Sequence, residues 1–317
     1  MRNNFADEIT QLAASDKRVV LLSGDIGNKL FDGFKAKAPD RFFNCGVAEA
    51  NMMGMAAGLA MSGLRPVVYT IAPFTTTRVM EQIRVDVCYH DVPVIIVGVG
   101  SGLGYASLGA THHSCEDMAM LRSLPGMSVL APADPLEVRG VLRAALRHSG
   151  PSYIRMGKKG EPNVHREIPD IGPGRGVVVR DGVDVCLLAV GVMLPAALEA
   201  ADGLAKRGIT CRVVSVVSVK PLDQALLRDA FARFPVVASI EEHSLIGGFG
   251  AALAEWMADT GPVQARLLRF GTKDRFPHEA GETEHARERD GLTAHNIIER
   301  ITQALPRREA GKAVGAP

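Results

Sequence analysis

Twice along this chain, short apolar runs alternate with longer helical patterns, and this repetition restricts the fold more than any other feature. The first series reads as strands in VVLLSG, FFNCG, PVVYTI, PVIIVGV, SVLAP and SYIRM, with helices expected over 48–62, 77–90, 116–123 and 134–148. The second restarts at DVCLLAV and continues through CRVVSVV, VVASIE and ARLLRFG, with helices expected over 193–208, 223–233, 248–259 and 293–305. Apolar runs without a polar alternate face are strands buried on both sides, and strands that alternate with helices build mainly parallel sheets. Between the two series lies GKKGEPNVHREIPDIGPG, rich in Gly, Pro and charge, which reads as a connection. The expected fold is therefore α/β, with two parallel-sheet domains over 1–165 and 181–305, a linker over 166–180 and a flexible tail over 306–317.

The composition fits that size. With 317 residues, 47% hydrophobic and 22% charged, the chain can bury two cores. A net charge of +1 gives no electrostatic case for nucleic acid or an anionic membrane. Cys45, Cys88, Cys115, Cys186 and Cys211 include no CxxC pair, which argues against a zinc site or a disulfide framework and suits a reducing compartment. The first residues, MRNNFADEIT, lack an apolar signal region, and no run of about 18 apolar residues occurs. A cytoplasmic chain without a membrane span is expected.

In parallel α/β sheets the ligand sits beyond the carboxyl ends of the strands. Asp25, Glu49, Phe74, His112 and Arg155 all fall at or just after such ends. Glu49 opens a helix, EANMMGMAAGLAM, whose only other polar residue is Asn51. The ordinary role of a carboxylate there is to complement the helix dipole, worth ~0.3–1 kcal/mol. A helix that is apolar all round is buried, however, and burial favours the protonated form of a carboxyl, as an acid–base group requires. Its small residues also permit close packing of another helix, as at a subunit interface. The loop GVGSGLGYASLGATHHSCED is long enough to be functional and carries adjacent His112 and His113. Two tempting motifs fail. The glycines from Gly98 never give G-x-G-x-x-G, and Gly24-Asp25 is followed by Ile26 rather than the third residue of a diphosphate-binding GDG. Phe74 as core and Arg78 on a solvated face are each unremarkable when taken singly.

Together, GVAEANMMGMAAGLA, ATHHSCEDMAMLRSLPGMSVLAPAD, PSYIR and SIEEHSLIGGFGAALAE, in this order, resemble the transketolase family of thiamine-diphosphate enzymes. The resemblance covers nearly the whole chain and implies a pyrimidine-binding domain followed by the transketolase C-terminal domain. It implies that Glu49 hydrogen-bonds a ring nitrogen of the cofactor's aminopyrimidine, so that the cofactor removes the proton from its own thiazolium carbon. It places Phe74 against the pyrimidine, Ile71 and Thr77 where aromatic residues flank that ring elsewhere, and His112 towards the reacting carbons. Arg78 and Arg155 fall where arginines bind a sugar-phosphate tail, and His113 replaces a glutamine beside the substrate. Leu108 and Gly100 stand where other members carry an Asp and a His on the donor sugar.

The same resemblance implies that the diphosphate-binding domain resides on a partner chain. That chain would hold the diphosphate and Mg2+, in an assembly with two copies of each subunit. The expected activity is transfer of a two-carbon ketol unit between sugar or sugar-phosphate substrates. The alternatives are the β subunit of a 2-oxo acid dehydrogenase, an enzyme like deoxyxylulose-phosphate synthase, and a non-catalytic scaffold subunit.

Overall fold

The computed structural model of the chain describes residues 1–278 and 281–305. The expected tail at 306–317 lies outside them. Two sheets with helices on their faces form the frame, as the alternating pattern predicts. In the first half, the strands are β1 (Val19–Ser23), β2 (Phe42–Asn44), β3 (Arg65–Ile71), β4 (Ile95–Val99), β5 (Ser128–Leu130) and β6 (Ser152–Met156). In the second half they are β7 (Val177–Arg180), β8 (Val185–Val190), β9 (Cys211–Val216), β10 (Ser218–Lys220), β11 (Val236–Ser244) and β12 (Arg266–Thr272). The seven-stranded sheet runs β10-β5-β6-β4-β3-β1-β2 and the five-stranded sheet β12-β11-β8-β9-β7. All pairings are parallel except β10 with β5 and β7 with β9.

One of these antiparallel edges, β10 with β5, joins the two halves. The apolar run from Cys211 reads as one strand but bends after Val216, and its continuation β10 joins the sheet of the first half. The last four residues of the expected linker, Val177–Arg180, are strand β7, an edge of the second sheet. One apolar cluster runs through both sheets, from Val20, Leu22, Val68 and Ile96 to Cys186, Leu188 and Val214. The opposite face of the first sheet packs Leu21 and Tyr69 against Phe5 and Ile9 of an N-terminal helix, Arg2–Ser15. That helix went unread because its stretch combines weak periodicity with polar residues. The 77–90 helix is also corrected. It is a 3-10 turn (Thr77–Val79), a single α turn (Met80–Gln82) and a π turn (Ile83–Cys88) in succession.

The helix Glu49–Met61 is not buried all round. Met52, Met53, Ala56, Ala57 and Ala60 face the core, while Met55 and Met61 are 38% and 53% exposed. An apolar outer face on a helix is free to meet another chain.

The connection between the sheets is clasped by buried charge. Asp134 caps the helix Pro135–Arg147, accepting from the backbone of Leu136 (2.9 Å) and Glu137 (2.7 Å). Its second oxygen accepts from the backbone of Val164 (2.9 Å) and His165 (2.8 Å) in the connection and lies 3.0 Å from His165 Nδ1. His165 Nε2 is 3.5 Å from Glu137 Oε1. The hydrogen bond to Asp134 holds the His165 ring above its usual titration range against the opposing effect of burial, and burial pushes Glu137 up to about 7. A histidine raised in the folded state adds stability that is complete below its unfolded pKa, about 6.5, and fades as pH rises through the folded value. Replacing His165 with Asn should therefore cost about 1.5–3 kcal/mol at pH 5, the range for a hydrogen bond to a charged group, and progressively less above pH 7. Urea unfolding of both proteins across pH 5–9 measures the difference; a constant difference rejects the titrating clasp.

Candidate functional site

The carboxyl ends of β2, β3 and β4 bring four of the sequence-predicted residues into one chain of contacts. Glu49 is the first residue of its helix and only 6% exposed. Its Oε1 accepts from Arg78 Nη1 at 2.8 Å. The Arg78 guanidinium lies 3.9 Å above the centroid of the Phe74 ring, a cation–π contact. Phe74 in turn meets the His112 ring edge-on at 5.3 Å, and His112 lies 6.0 Å from Tyr105. Partial burial, followed by the nearby His113 and Arg78, lowers the His112 pKa, which favours the neutral imidazole. Its Nδ1 sits 2.9 Å from Thr111 Oγ1. The expected apolar surround of Glu49 is thus replaced on one side by a guanidinium. Arg78 is 45% exposed along its side chain, so this pair is open to water and exchangeable.

Each contact follows from local structure. Strand β3 ends at Ile71, which is buried, and Phe74 projects from the short turn Ala72–Thr75 that follows. Thr77 begins the next turn and is exposed, as is Arg78 beside it. His112 comes from the loop after β4, which an isolated bridge between Gly102 and Ser114 closes at its base. Asp25, after β1, accepts from Asn44 at 3.0 Å and stands outside the contact chain.

Arg155 does not join this cluster. It is 2% exposed, and its Nε donates to both oxygens of Asp117 (2.9 and 3.1 Å). Its Nη2 donates to the carbonyls of Ser114 (3.1 Å) and Glu242 (2.9 Å). Tyr153 also donates to Asp117, at 2.7 Å. With Nε and Nη2 committed to Asp117, to the histidine loop and to strand β11, and the side chain buried, Arg155 is not presented to a phosphate, and the expectation for it is corrected to a structural ion pair. His113 is also turned away from the Glu49 chain. It is 8% exposed and its Nε2 lies 3.1 Å from the carbonyl of Ala106.

Gly100 and Leu108 are explained as well. Gly100 has φ +68°, and a Cβ there would collide with the ring of Tyr105. No side chain fits where a histidine was considered. Leu108 is 52% exposed at the end of a 3-10 turn and presents no hydrogen-bonding group. Reading from sequence missed Tyr105, although an aromatic between the glycines of a long loop was a usable signal. It also missed Glu242, whose Oε1 accepts from the backbone of Leu103 at 2.8 Å and so ties the second sheet to the root of the histidine loop.

Among the described residues no group of three or more His, Cys, Asp or Glu could hold a metal ion, and no helix is long and apolar enough to cross a membrane. Comparison with known proteins gives two family matches: the transketolase pyrimidine-binding domain over residues 1–162 and the transketolase C-terminal domain over 174–297. The chain is 36% identical to the 6-deoxy-6-sulfo-D-fructose transketolase subunit SqwH of Clostridium sp. (strain MSTE9), covering 97% of this chain and 95% of that protein. It is also 36% identical to one of the subunits of the apulose-4-phosphate transketolase of Actinobacillus succinogenes, over 84% of this chain and 85% of that one. Among solved structures it is similar to one described as a split gene transketolase, inactive beta4 tetramer. The TM-score there is 0.86 at 37% identity, with 96% and 97% of the two chains covered.

Proposed function

Because the chain belongs to the transketolase family and carries its pyrimidine-binding and C-terminal domains, we propose that it is the cofactor-activating subunit of a split transketolase. With a partner chain it would transfer a two-carbon ketol unit between sugar-phosphate or modified sugar substrates. The observation that carries this reading is Glu49, a nearly buried carboxyl in the first turn of a helix, linked through Arg78 and Phe74 to His112.

The pyrimidine half of thiamine diphosphate suits these residues. Glu49 offers a carboxyl to a ring nitrogen, Phe74 a flat face, and Ile71 and Thr77 the flanking positions. When bound, the cofactor supplies a nucleophilic thiazolium carbon and an electron sink. Arg78 must swing aside, which its exposure allows, before the Glu49 carboxyl can meet the ring nitrogen and share a proton with it. His112, whose surroundings favour its neutral form, can accept a proton from a substrate hydroxyl. Arg78, once released from Glu49, is placed to meet a phosphate through its planar fork.

The diphosphate and Mg2+ are assigned to the partner: Gly24-Asp25 lacks the third residue of a diphosphate-binding GDG, and no group of three or more His, Cys, Asp or Glu among the described residues could hold the metal. The apolar outer face at Val47 (81% exposed), Met55, Met61 and Tyr89 supports a docked chain, and a symmetric assembly with two copies of each subunit follows the usual closure of such interfaces. Five free thiols suit the cytoplasm.

Purifying the chain alone and with the product of its neighbouring gene tests this function. Calorimetry should show weak or no thiamine diphosphate binding alone and magnesium-dependent binding with the partner. Tight magnesium-dependent binding by the isolated chain rejects the split arrangement. The donor should be a modified or deoxygenated ketose, because Leu108 and Gly100 offer no hydrogen bond to a sugar hydroxyl. In a side-by-side assay, xylulose 5-phosphate as best donor contradicts that inference.

A further inference from the structure

The loop that carries His112 is gripped from the second half at one residue. Just beyond the Gly102–Ser114 bridge at its base, Leu103 is fully buried, and both of its backbone polar groups meet residues far along the chain. Its N–H donates to Glu242 Oε1 at 2.8 Å across 139 residues of sequence, and its carbonyl accepts from Thr283 Oγ1 at 3.1 Å across 180. The other carboxylate oxygen of Glu242 accepts from Arg287 Nε, on the helix Thr283–Asp290. Gly102 has φ +64°, and a Cβ there would stand 2.5 Å from Glu242 Oε1, so the loop is pressed against this carboxylate.

From Leu103 a path of hydrogen bonds leads to the histidines. The Leu103 carbonyl also accepts from the Ala106 N–H at 2.9 Å, which opens the 3-10 turn Ala106–Leu108. The Ala106 carbonyl faces His113 Nε2 at 3.1 Å. The N–H groups of His112 and His113 both donate to the Gly109 carbonyl, at 3.0 and 3.2 Å. Tyr105, two residues from Leu103, sets its ring 6.0 Å from His112. A functional loop is only as well placed as its supports, and a buried N–H needs an acceptor; Glu242 supplies it here.

We propose that Glu242 is a positioning residue for proton transfer at His112: by holding Leu103 it sets the 3-10 turn and the imidazole, with Thr283 and Arg287 completing the grip. Glu242 is 1% exposed, so it acts through the loop and not on substrate. The second half of the chain thereby takes part in the reaction. The proposal rests on the role given to His112 above.

Glu242→Leu and Glu242→Gln separate this role from a general contribution to folding, because only Gln keeps an oxygen for the Leu103 N–H. Assembled with the partner, Glu242→Leu should lower kcat about 10–100-fold with KM little changed, and Glu242→Gln should retain most of the activity. Proton exchange at the thiazolium carbon, the step assigned to Glu49, should keep the wild-type rate in both. In the isolated chain, the imidazole NMR signals of His112, shifted by the Phe74 and Tyr105 rings, should move towards those of free histidine in Glu242→Leu and hold their place in Glu242→Gln. That readout needs no partner, cofactor or substrate, so it tests the grip even if the assembled wild type shows no ketol transfer. Should Glu242→Leu fail to fold, Thr283→Val and Thr283→Ser repeat the comparison at a half-buried site and leave the Leu103 carbonyl bonded to Ala106. Val should move the His112 signals in the same direction, and Ser should restore them. Unchanged His112 signals in Glu242→Leu (in Thr283→Val if Glu242→Leu is unfolded), equal losses in Glu242→Leu and Glu242→Gln, or a parallel loss of thiazolium exchange overturns the assignment.

Discussion

Arg155→Met should destabilise the protein by about 3–5 kcal/mol, the range for removing one partner of a buried ion pair. Arg155 and Asp117 are essentially without solvent exposure, and the guanidinium satisfies Asp117 together with the carbonyls of Ser114 and Glu242. Methionine fills much of the volume but leaves the carboxylate with only Tyr153 at 2.7 Å and His243 at 3.8 Å. The loss should therefore come from uncompensated charge rather than from a cavity. The double replacement Arg155→Met, Asp117→Leu should recover a substantial part of it, because an apolar pair of similar size no longer strands a charge. Urea unfolding of the two variants measures both quantities. A loss below about 1 kcal/mol in the single variant contradicts the structural role. Because Asp117 belongs to the first half and Glu242 to strand β11 of the second, the same variant should also loosen the contact between the two sheets.

The sheet architecture was legible because buried parallel strands write themselves as unbroken apolar runs. Strand β6 was bounded correctly at Ser152 and Met156. What the runs do not encode is which sheet a strand joins, so β10, just beyond the run CRVVSVV, went unread and β7 was lost in the linker. Both are short edge strands whose pairing depends on distant partners. The Glu49–Phe74–His112 grouping was legible from positions after strands, since topology alone gathers those ends. Arg155 illustrates the limit. Its place at the end of β6 is the same kind of signal, but whether its side chain meets ligand or protein depends on Asp117 and on a carbonyl 87 residues further along the chain. The helix at Thr283–Asp290 was missed because its residues are polar and charged, with no apolar stripe to mark it.

Glu49→Gln should have the largest functional effect. On the proposed mechanism the carboxyl must exchange a proton with the cofactor's ring nitrogen, which an amide of the same shape cannot do. General acid–base groups of this kind contribute about 10²–10⁴-fold. The helix-dipole role predicts much less, at most ~1 kcal/mol of stability and no specific loss of chemistry. Glu49→Ala should match Glu49→Gln in activity, since the proton and not the hydrogen-bonding outline is at issue. Both proteins should still assemble with the partner, because the outward face at Met55 and Met61 is untouched.

The most direct measurement is the rate at which the thiazolium carbon of bound thiamine diphosphate exchanges its proton into deuterated water, compared between the assembled wild type and Glu49→Gln. It requires no substrate and so isolates the step assigned to Glu49. The account predicts exchange slowed about 10²–10⁴-fold in the variant with the cofactor still bound; exchange at close to the wild-type rate would contradict it.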